Sequence, residues 1–326
     1  MSQTPPGRPV QSTSGASYRI DPIDGVLVID KPAGPTSHDV VARVRRICRS
    51  TKVGHTGTLD PTATGVLPLV LGRATRLARF LAATDKTYEA AIHLGQATST
   101  FDIEGDPVGP AWGGFGEADG RLRIGDRTAV DTALATLTGT YQQAPPPYSA
   151  KKIEGVRAYE LARAGRPVQP SSVTVTVRRL ELLAIEGDFV QIEVTATAGF
   201  YVRVLADQLG RGLGVGGHLH ALRRTRSGAF DLSSAVPLAE LERDPEVARA
   251  AVIPLDRLLL DHPAVMLTAA GAERARHGRD VGPADVITEA ESVAGPVRLL
   301  DEDSRLIAVG EPADRPRFLH PVVVLG

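Results

Sequence analysis

"GHTGTLDPTATGVL" (residues 54–67) decides how this chain is read. It holds three glycines, four threonines, one histidine and a single acid, Asp60, followed by Pro61. Gly and Pro interrupt regular structure, so the stretch predicts a loop and not a helix or a central strand. An apolar run, "GVLPLVLG" (65–72), follows at once and reads as a buried strand. One carboxylate is therefore carried on a Gly/Thr loop set against the core. An Asp before Pro is ordinarily a turn former that bonds its own backbone, and a loop histidine such as His55 is ordinarily a solvated ring. The residues by themselves leave that reading and a functional one open.

The chain has 326 residues, enough for about two domains of roughly 150 each. Its 42% hydrophobic content supports a sizeable core, and its 4% aromatic content makes each Tyr worth inspecting. The lone cysteine, Cys48, can form neither an internal disulfide nor a thiol-rich zinc site, which fits a reducing cytosol and predicts a cytoplasmic protein. Residues 1–18 lack the apolar segment of a secretory signal and read as a disordered tail. No run reaches the 18 or more apolar residues of a membrane span. Net charge is only −1, but it is unevenly spread. Residues 30–86 carry ten Lys/Arg against four Asp/Glu, and residues 199–226 carry five against one. Two basic segments on an otherwise acidic chain suggest a localised polyanion site, although charge alone favours scattered solvated helix faces.

Working outward from the loop, "DGVLVIDKPAG" (24–34) predicts a strand closed by a Lys-Pro turn. "TSHDVVARVRRIC" begins with a Ser/Thr cap, and Val40, Val44 and Ile47 recur at helical spacing among Arg43, Arg45, Arg46 and Arg49. "ATRLARFLAA" reads as helix. "KTYEAAIHLG" (86–95) alternates, with Tyr88, Ala90, Ile92 and Leu94 on one face of a half-buried strand. Residues 106–126 form a Gly/Pro-rich exposed loop, "TAVDTALATLTG" a helix, "APPPYSAKKIEG" an extended segment and "VRAYELARAG" a short helix. Residues 173–199 form a hairpin around an "EGD" turn, and "FYVRVLADQLGRGLG" turns helical. The last 65 residues hold one helical stretch and short strands such as "VRLLD", "LIAVG" and "PVVVLG", a small β-rich domain.

Several chemistries are absent as motifs. There is no G-x-x-x-x-G-K-[ST] loop, no G-x-G-x-x-G after a strand, and no His or Cys pair at metal-ligand spacing. "GLGVGGH" (212–218) follows a helix rather than a strand and reads as a turn.

The residues that remain carry a resemblance. "GHTGTLDPTATGVLPLVLGRATR" is similar to the signature of the TruB family, the tRNA pseudouridine synthases acting on uridine 55 of the T loop. "GVLVIDKPAGPTSHDVV", "KTYEAAIHLGQATSTFDIEGD", "APPPYSAKKIEGVRAYELARAG", "GFYVRVLADQLG" and "HLHALRRTRSGAF" resemble the family's other blocks in order, over roughly residues 24–230. The resemblance implies an α+β pseudouridine synthase fold, with a central mixed, mainly antiparallel sheet flanked by helices. More weakly, the C-terminal segment resembles a small β-rich PUA-like domain. The implied organisation is a tail at 1–18, a catalytic domain at 19–258 and an RNA-binding domain at 259–326.

The resemblance also implies site roles. Asp60 matches the catalytic aspartate. Pseudouridine formation breaks N1–C1′, turns the uracil and joins C5 to C1′, which needs a nucleophile that is ionised at neutral pH and can later leave. A carboxylate of ordinary pKa about 3.9 meets both needs without a metal or cofactor. Attack at C1′, attack at C6 and proton removal at C2′ are all compatible with it. Arg203 matches the arginine that pairs with this aspartate, and Tyr88 the tyrosine that stacks on the base near C5. Tyr201 and Leu222 match residues lining the uracil pocket. His55 matches the substrate-contacting histidine that fills the space left by a flipped-out base. Lys31 and the Arg-rich helix are expected to contact phosphates. The expected partner is the T-arm stem-loop of tRNA, bound by a monomer. A different class, an RNA-binding and tRNA-folding module without catalysis, uses the same surface. An Asp-dependent hydrolase would need a second carboxylate at the site, and none is expected there.

Overall fold

The computed structural model describes residues 23–111, 127–146, 152–153, 156–157, 171–288 and 295–326. The tail at 1–18, residues 112–126 of the Gly/Pro-rich loop and the "AYELARAG" part of the expected short helix lie outside the described residues. Just before that part, Val156–Arg157 pairs as a strand with Lys152–Ile153, so the helix does not start at Val156.

Strand β1 (Gly25–Lys31) leads through the Lys-Pro turn into helix α1 (Ser37–Ile47). Thr36 caps it: its Oγ1 accepts from the Asp39 N–H at 3.1 Å, and the Asp39 carboxylate accepts from the Thr36 N–H at 2.9 Å. This reciprocal box satisfies two of the helix's orphan donors. Val40, Val41 and Val44 are buried, and the arginines between them point away from the core. Strands β2 (Val53–His55) and β3 (Thr64–Leu71) bracket the loop on which the fold was read. The segment expected as one helix after β3 is a 3₁₀ turn, Gly72–Leu77, that runs into α2 (Ala78–Ala82). Gly72 sits at φ +55° with the Asp24 carboxylate against it. The chain is turned tightly there before a regular helix can start.

β4 (Lys86–Leu94), α3 (Arg127–Thr136), β5 (Gly139–Gln143), the hairpin β6 (Val173–Glu186) and β7 (Phe189–Ala196), α4 (Val202–Gly212) and β8 (Gly217–Ser227) complete the main layer. The ten-stranded sheet runs Val236–Pro237, β1, β3, β8, β4, β7, β6, β5, with β2 also on β3 and Phe230–Asp231 on β8. Two pairings are parallel, β1 with Val236–Pro237 and β8 with β3, and the others are antiparallel. The sheet is thus mixed and mainly antiparallel, in an α+β fold.

β1 and β3 are buried on both faces. Leu27, Ile29, Leu67 and Leu69 pack with α1, while Val26, Val28, Val66 and Val70 pack with Leu255, Leu258, Leu306, Val309 and Leu325. At the other half of the sheet, Ile92, Val190, Ile192 and Val194 pack with Val130 and Leu134 of α3 and Leu205 and Leu209 of α4. Each such aliphatic side chain contributes about 1.5–3 kcal/mol by leaving water. Tyr88 and Leu222 touch both helix-side cores and mark the seam between them.

A second, five-stranded sheet, Val286–Thr288, Ala264–Leu267, Val297–Leu300, Leu306–Pro312 and Leu319–Val324 in that order, is closed by a helix at Ala269–Arg276. It shares the Val26/Val28 core and is tied to the main layer by polar contacts. Arg73 donates to the Leu325 carbonyl at 3.0 Å, and the Leu306 N–H donates to Asp256 at 2.8 Å.

Candidate active site

The site begins with an incomplete edge of β3. β8 pairs with it only at Thr64 and Gly65, and β2 only from Leu69 to Leu71. Pro68, between them, has no N–H to offer a neighbouring strand. Loop 56–63 issues from this gap. It has no ladder of its own, so its backbone groups must find other partners. The Thr56 N–H donates to the Pro68 carbonyl at 3.2 Å. The Ala63 N–H donates to the Asp60 carbonyl at 3.1 Å and the Gly34 N–H to the Pro61 carbonyl at 2.8 Å, and buried side chains grip the loop at alternate residues. Arg224 donates to the Gly57 carbonyl at 3.1 Å and to Val66 of β3 at 2.7 Å. The Ser37 hydroxyl both donates to and accepts from Leu59, at 3.0 and 2.9 Å. Lys31 Nζ donates to the Pro61 carbonyl at 3.1 Å and to that of Ala63 at 2.7 Å.

Asp60 is left projecting from this loop with 40% of its side chain exposed. Its Oδ2 lies 3.2 Å from Nε of Arg203, in the first turn of α4, whose side chain is only 9% exposed. Nη1 of the same guanidinium meets Asp102 Oδ2 at 3.1 Å. Asp102 is itself held in a tight loop: its Oδ1 accepts from the Thr100 hydroxyl and from the Glu104 N–H at 3.1 Å. The carboxylate absent from the sequence reading is therefore present. It holds a different nitrogen of Arg203, is buried and does not line the cavity, so it does not make a paired-acid hydrolase site with Asp60.

Tyr88, Tyr201 and Leu222 line the same cavity as Asp60 and Arg203, with Lys86, Arg224, Gly57 and Phe200 among the other walls and a volume of about 440 Å³. β8 deviates from regular register between Leu219 and Ala221 and again between Arg224 and Arg226. Such bulges re-aim side chains, and here Leu222 and Arg224 face the cavity while Arg223 pairs with Asp30 at 2.8 Å. Tyr201 is fixed through its backbone: its N–H donates to Gln143 Oε1 at 2.8 Å, and its carbonyl accepts from Gln143 Nε2 at 3.2 Å.

Two expected residues stand elsewhere. His55 ends β2, immediately before the loop, with its ring edge-on to His38 at 5.5 Å, and is not among the residues lining the cavity. Lys31 was expected at a phosphate. It is fully buried, with its ammonium spent on the Pro32, Pro61 and Ala63 carbonyls. It therefore anchors the loop from behind, with its ammonium turned away from the surface. Burial pulls its pKa down to about 8, against the raising influence of Asp60, and Arg224 lowers it further. Lys86 is likewise brought to about 8 by burial and then by Arg224, with Asp85 opposing.

Asp102, Arg224, Lys86 and Gln143 escaped the sequence reading. Three of them lie within quoted blocks, in "STFDIEGD", "LRRTRSG" and "KTYEA", but only the fold shows that they converge.

The sequence matches the family described as TruB family pseudouridylate synthase (N terminal domain) over residues 45–202, and the tRNA pseudouridylate synthase B C-terminal domain over 203–260. It is 42% identical to the tRNA pseudouridine synthase B of Solibacter usitatus, over 93% of this chain and 100% of that one. It is 43% identical to the protein of the same name from Thermobifida fusca, over 92% and 98%. Among solved structures it is similar to a chain of a Cbf5-Nop10-Gar1 complex (TM-score 0.70, 27% identity, 93% of this chain and 85% of that one). It is also similar to a chain of an H/ACA RNP bound to a substrate RNA containing 2′-deoxyuridine (TM-score 0.68, 26% identity, 93% and 85%). The fold and the Asp60 loop thus define a pseudouridylate synthase. The chain belongs to the TruB family.

Proposed function

We propose that the protein converts uridine 55 in the T loop of tRNA to pseudouridine, acting as a cytoplasmic monomer, with Asp60 as nucleophile. The observation that carries this reading is the 3.2 Å pair between Asp60 and the buried Arg203 at the wall of a cavity shared with Tyr88. The guanidinium pairs with the carboxylate and aims it. A uridine stacked in a folded T loop cannot reach that carboxylate, so the nucleotide is flipped out. Tyr88 offers the uracil a ring to stack on, near the carbon that must lose a proton once C5 has joined C1′. Leu222 and Tyr201 close the sides of the base. His55, on the strand that enters the loop, serves the RNA from which the base has left. The test is incubation with an unmodified T-arm hairpin and with full-length tRNA, followed by tritium release from C5-labelled uridine and mapping of the product. Modification at a different position, or of other RNAs alone, overturns the substrate assignment.

A further inference from the structure

The cavity at Asp60 carries more positive charge than its known parts account for. Its lining includes three cations, Lys86, Arg203 and Arg224, and one carboxylate, Asp60. Behind that lining, Lys31 and Asp102 add one charge of each sign. Arg203 has both carboxylates. Arg224 has neither. It is 1% exposed, and among the described residues no carboxylate lies within ion-pair distance of it. Its Nε and Nη2 are taken by the carbonyls of Val66 and Gly57, and among the described residues Nη1 has no hydrogen-bond partner. Lys86, 6% exposed, holds the Ala82 and Thr84 carbonyls through its ammonium, and Asp85 beside it is turned to Arg178 at 2.6 Å. The two cations flank one point of the loop: a Cβ on Gly57 would sit 3.4 Å from Arg224 Nη1 and 3.9 Å from Lys86 Cε.

Buried cations without a counter-ion are rare, because removing them from water costs more than carbonyl contacts return. An excess of two positive charges facing a cavity is therefore a seat for an anion that arrives with the substrate. Uracil and ribose are neutral, and the charged part of a nucleotide is its phosphodiester. We infer that Arg224 and Lys86 form a seat for the backbone phosphate next to the flipped uridine, so that the nucleotide is held by its phosphate on one side of Gly57 while Asp60 addresses its sugar and base. Burial lowers the Lys86 pKa first and the neighbouring Arg224 charge second, with Asp85 opposing. This inference rests on the uridine-isomerase reading and adds to it the group by which the nucleotide is gripped. It also distinguishes Arg224 from Arg203, whose charge is already neutralised within the protein.

The test replaces one phosphate at a time, 5′ or 3′ to the target uridine, by a neutral methylphosphonate in a synthetic T-arm hairpin. The unchanged protein is used first. One of the two positions should raise KM roughly 10- to 100-fold, the loss of one charge-assisted contact, with a smaller change in kcat. Arg224→Lys and Lys86→Gln should raise KM for the all-phosphate hairpin. In either variant the methylphosphonate at the sensitive position should then cost much less than in the unchanged protein, because both changes remove one contact. Equal sensitivity in variant and unchanged protein would place the phosphate elsewhere and overturn the inference. So would tolerance of both methylphosphonates with a fall in kcat alone in the variants, which would assign the cations to negative charge developing on the uracil. Because the unchanged protein reads the RNA effect first, a variant that fails to fold does not decide the outcome. Absence of turnover on the all-phosphate hairpin would count against the T-arm assignment instead, and the same replacement is then made in a ligated full-length tRNA.

Discussion

Two irregular loops bring a carboxylate to the same guanidinium, and they do so by opposite means. The 56–63 loop is held from outside, by Arg224, Ser37 and Lys31 gripping its backbone at Gly57, Leu59, Pro61 and Ala63. The loop around Asp102 is held mainly from within, with one backbone bond from outside, the Leu219 N–H to the Phe101 carbonyl at 2.9 Å. Thr98 Oγ1 donates to the Asp102 carbonyl at 2.7 Å, the Gly105 N–H donates to the same carbonyl at 3.2 Å, and Phe101 takes the left-handed φ of 65° that the tight turn demands. The first leaves its acid 40% exposed and the second leaves its acid 9% exposed. A carboxylate that must form and break a bond to substrate needs a rigid base and an open face. One that only positions Arg203 is better enclosed, where its charge acts through a lower dielectric.

The largest expected effect follows from exchanging charge for shape at the exposed acid. Asp60→Asn should lower kcat by at least about 10⁴-fold, because an amide is not a nucleophile, with thermal stability and tRNA binding close to normal. Parallel loss of binding and turnover would move Asp60 from chemistry to RNA recognition. Asp102→Asn should differ in kind. It removes one partner of a buried ion pair, a loss of up to about 3–5 kcal/mol when nothing else compensates. Because Arg203 keeps Asp60, roughly half of that is expected in a denaturant titration. Turnover should fall about 100-fold as the guanidinium drifts and Asp60 loses its aim. A stable Asp102→Asn protein with full activity would erase the distinction between the loops.

What was legible in the sequence tracks how local each signal is. The alternation of "KTYEAAIHL" placed Tyr88, Ala90 and Ile92 on one face, and β4 carries them that way. The Thr36 cap and the Val40/Val44 spacing gave α1. Asp60 and Arg203 were named because a long ordered motif carries them, not because their 143-residue separation shows a contact. Lys31 was misplaced for the complementary reason. A lysine after an apolar strand is ordinarily solvated, and only the gap in β3 makes three backbone carbonyls converge on its ammonium. Asp102 and Arg224 were missed because charged residues in loops and strands are common, and burial is a property of the assembled sheet.

The external clamp has a pH signature. Lys31 is pulled down to about 8 in the folded protein, below its ordinary 10.5. Between those values the unfolded chain retains a proton that the folded chain has released, so this residue makes stability rise as pH climbs through that window. Lys86, also near 8, contributes a second share of the same sign. Lys31→Met should therefore remove about half of this rise when denaturant midpoints are compared from pH 8 to 10.5, leaving the Lys86 share. Its turnover at pH 7.5 should fall about 10-fold, since the Ala63 carbonyl loses its donor, Pro61 keeps only the Gly34 N–H and the loop loosens, with KM for tRNA little changed. An unchanged pH slope would mean that Lys31 reaches water. A rise in KM alone would return it to the RNA.

The self-held loop supplies the smallest effect. Phe101 pays for its left-handed backbone with about 1–2 kcal/mol of steric strain that glycine would not feel. Phe101→Gly relieves that strain, but it loosens the unfolded chain by about 0.5–1 kcal/mol and gives up the packing of a half-buried ring. The opposing contributions leave a net change within about 1 kcal/mol. Asp102 should remain in place, because Thr98, Thr100 and the Glu104 N–H hold it without the Phe101 side chain. Turnover within about twofold of the unchanged protein is therefore expected, read by tritium release beside a thermal melt. A tenfold loss of activity in a protein of unchanged stability would show that the loop is not self-sufficient and that the ring itself acts on Arg203 or on the RNA. In that case the two carboxylate loops would be alike, each depending on a side chain beyond its own hydrogen-bond network.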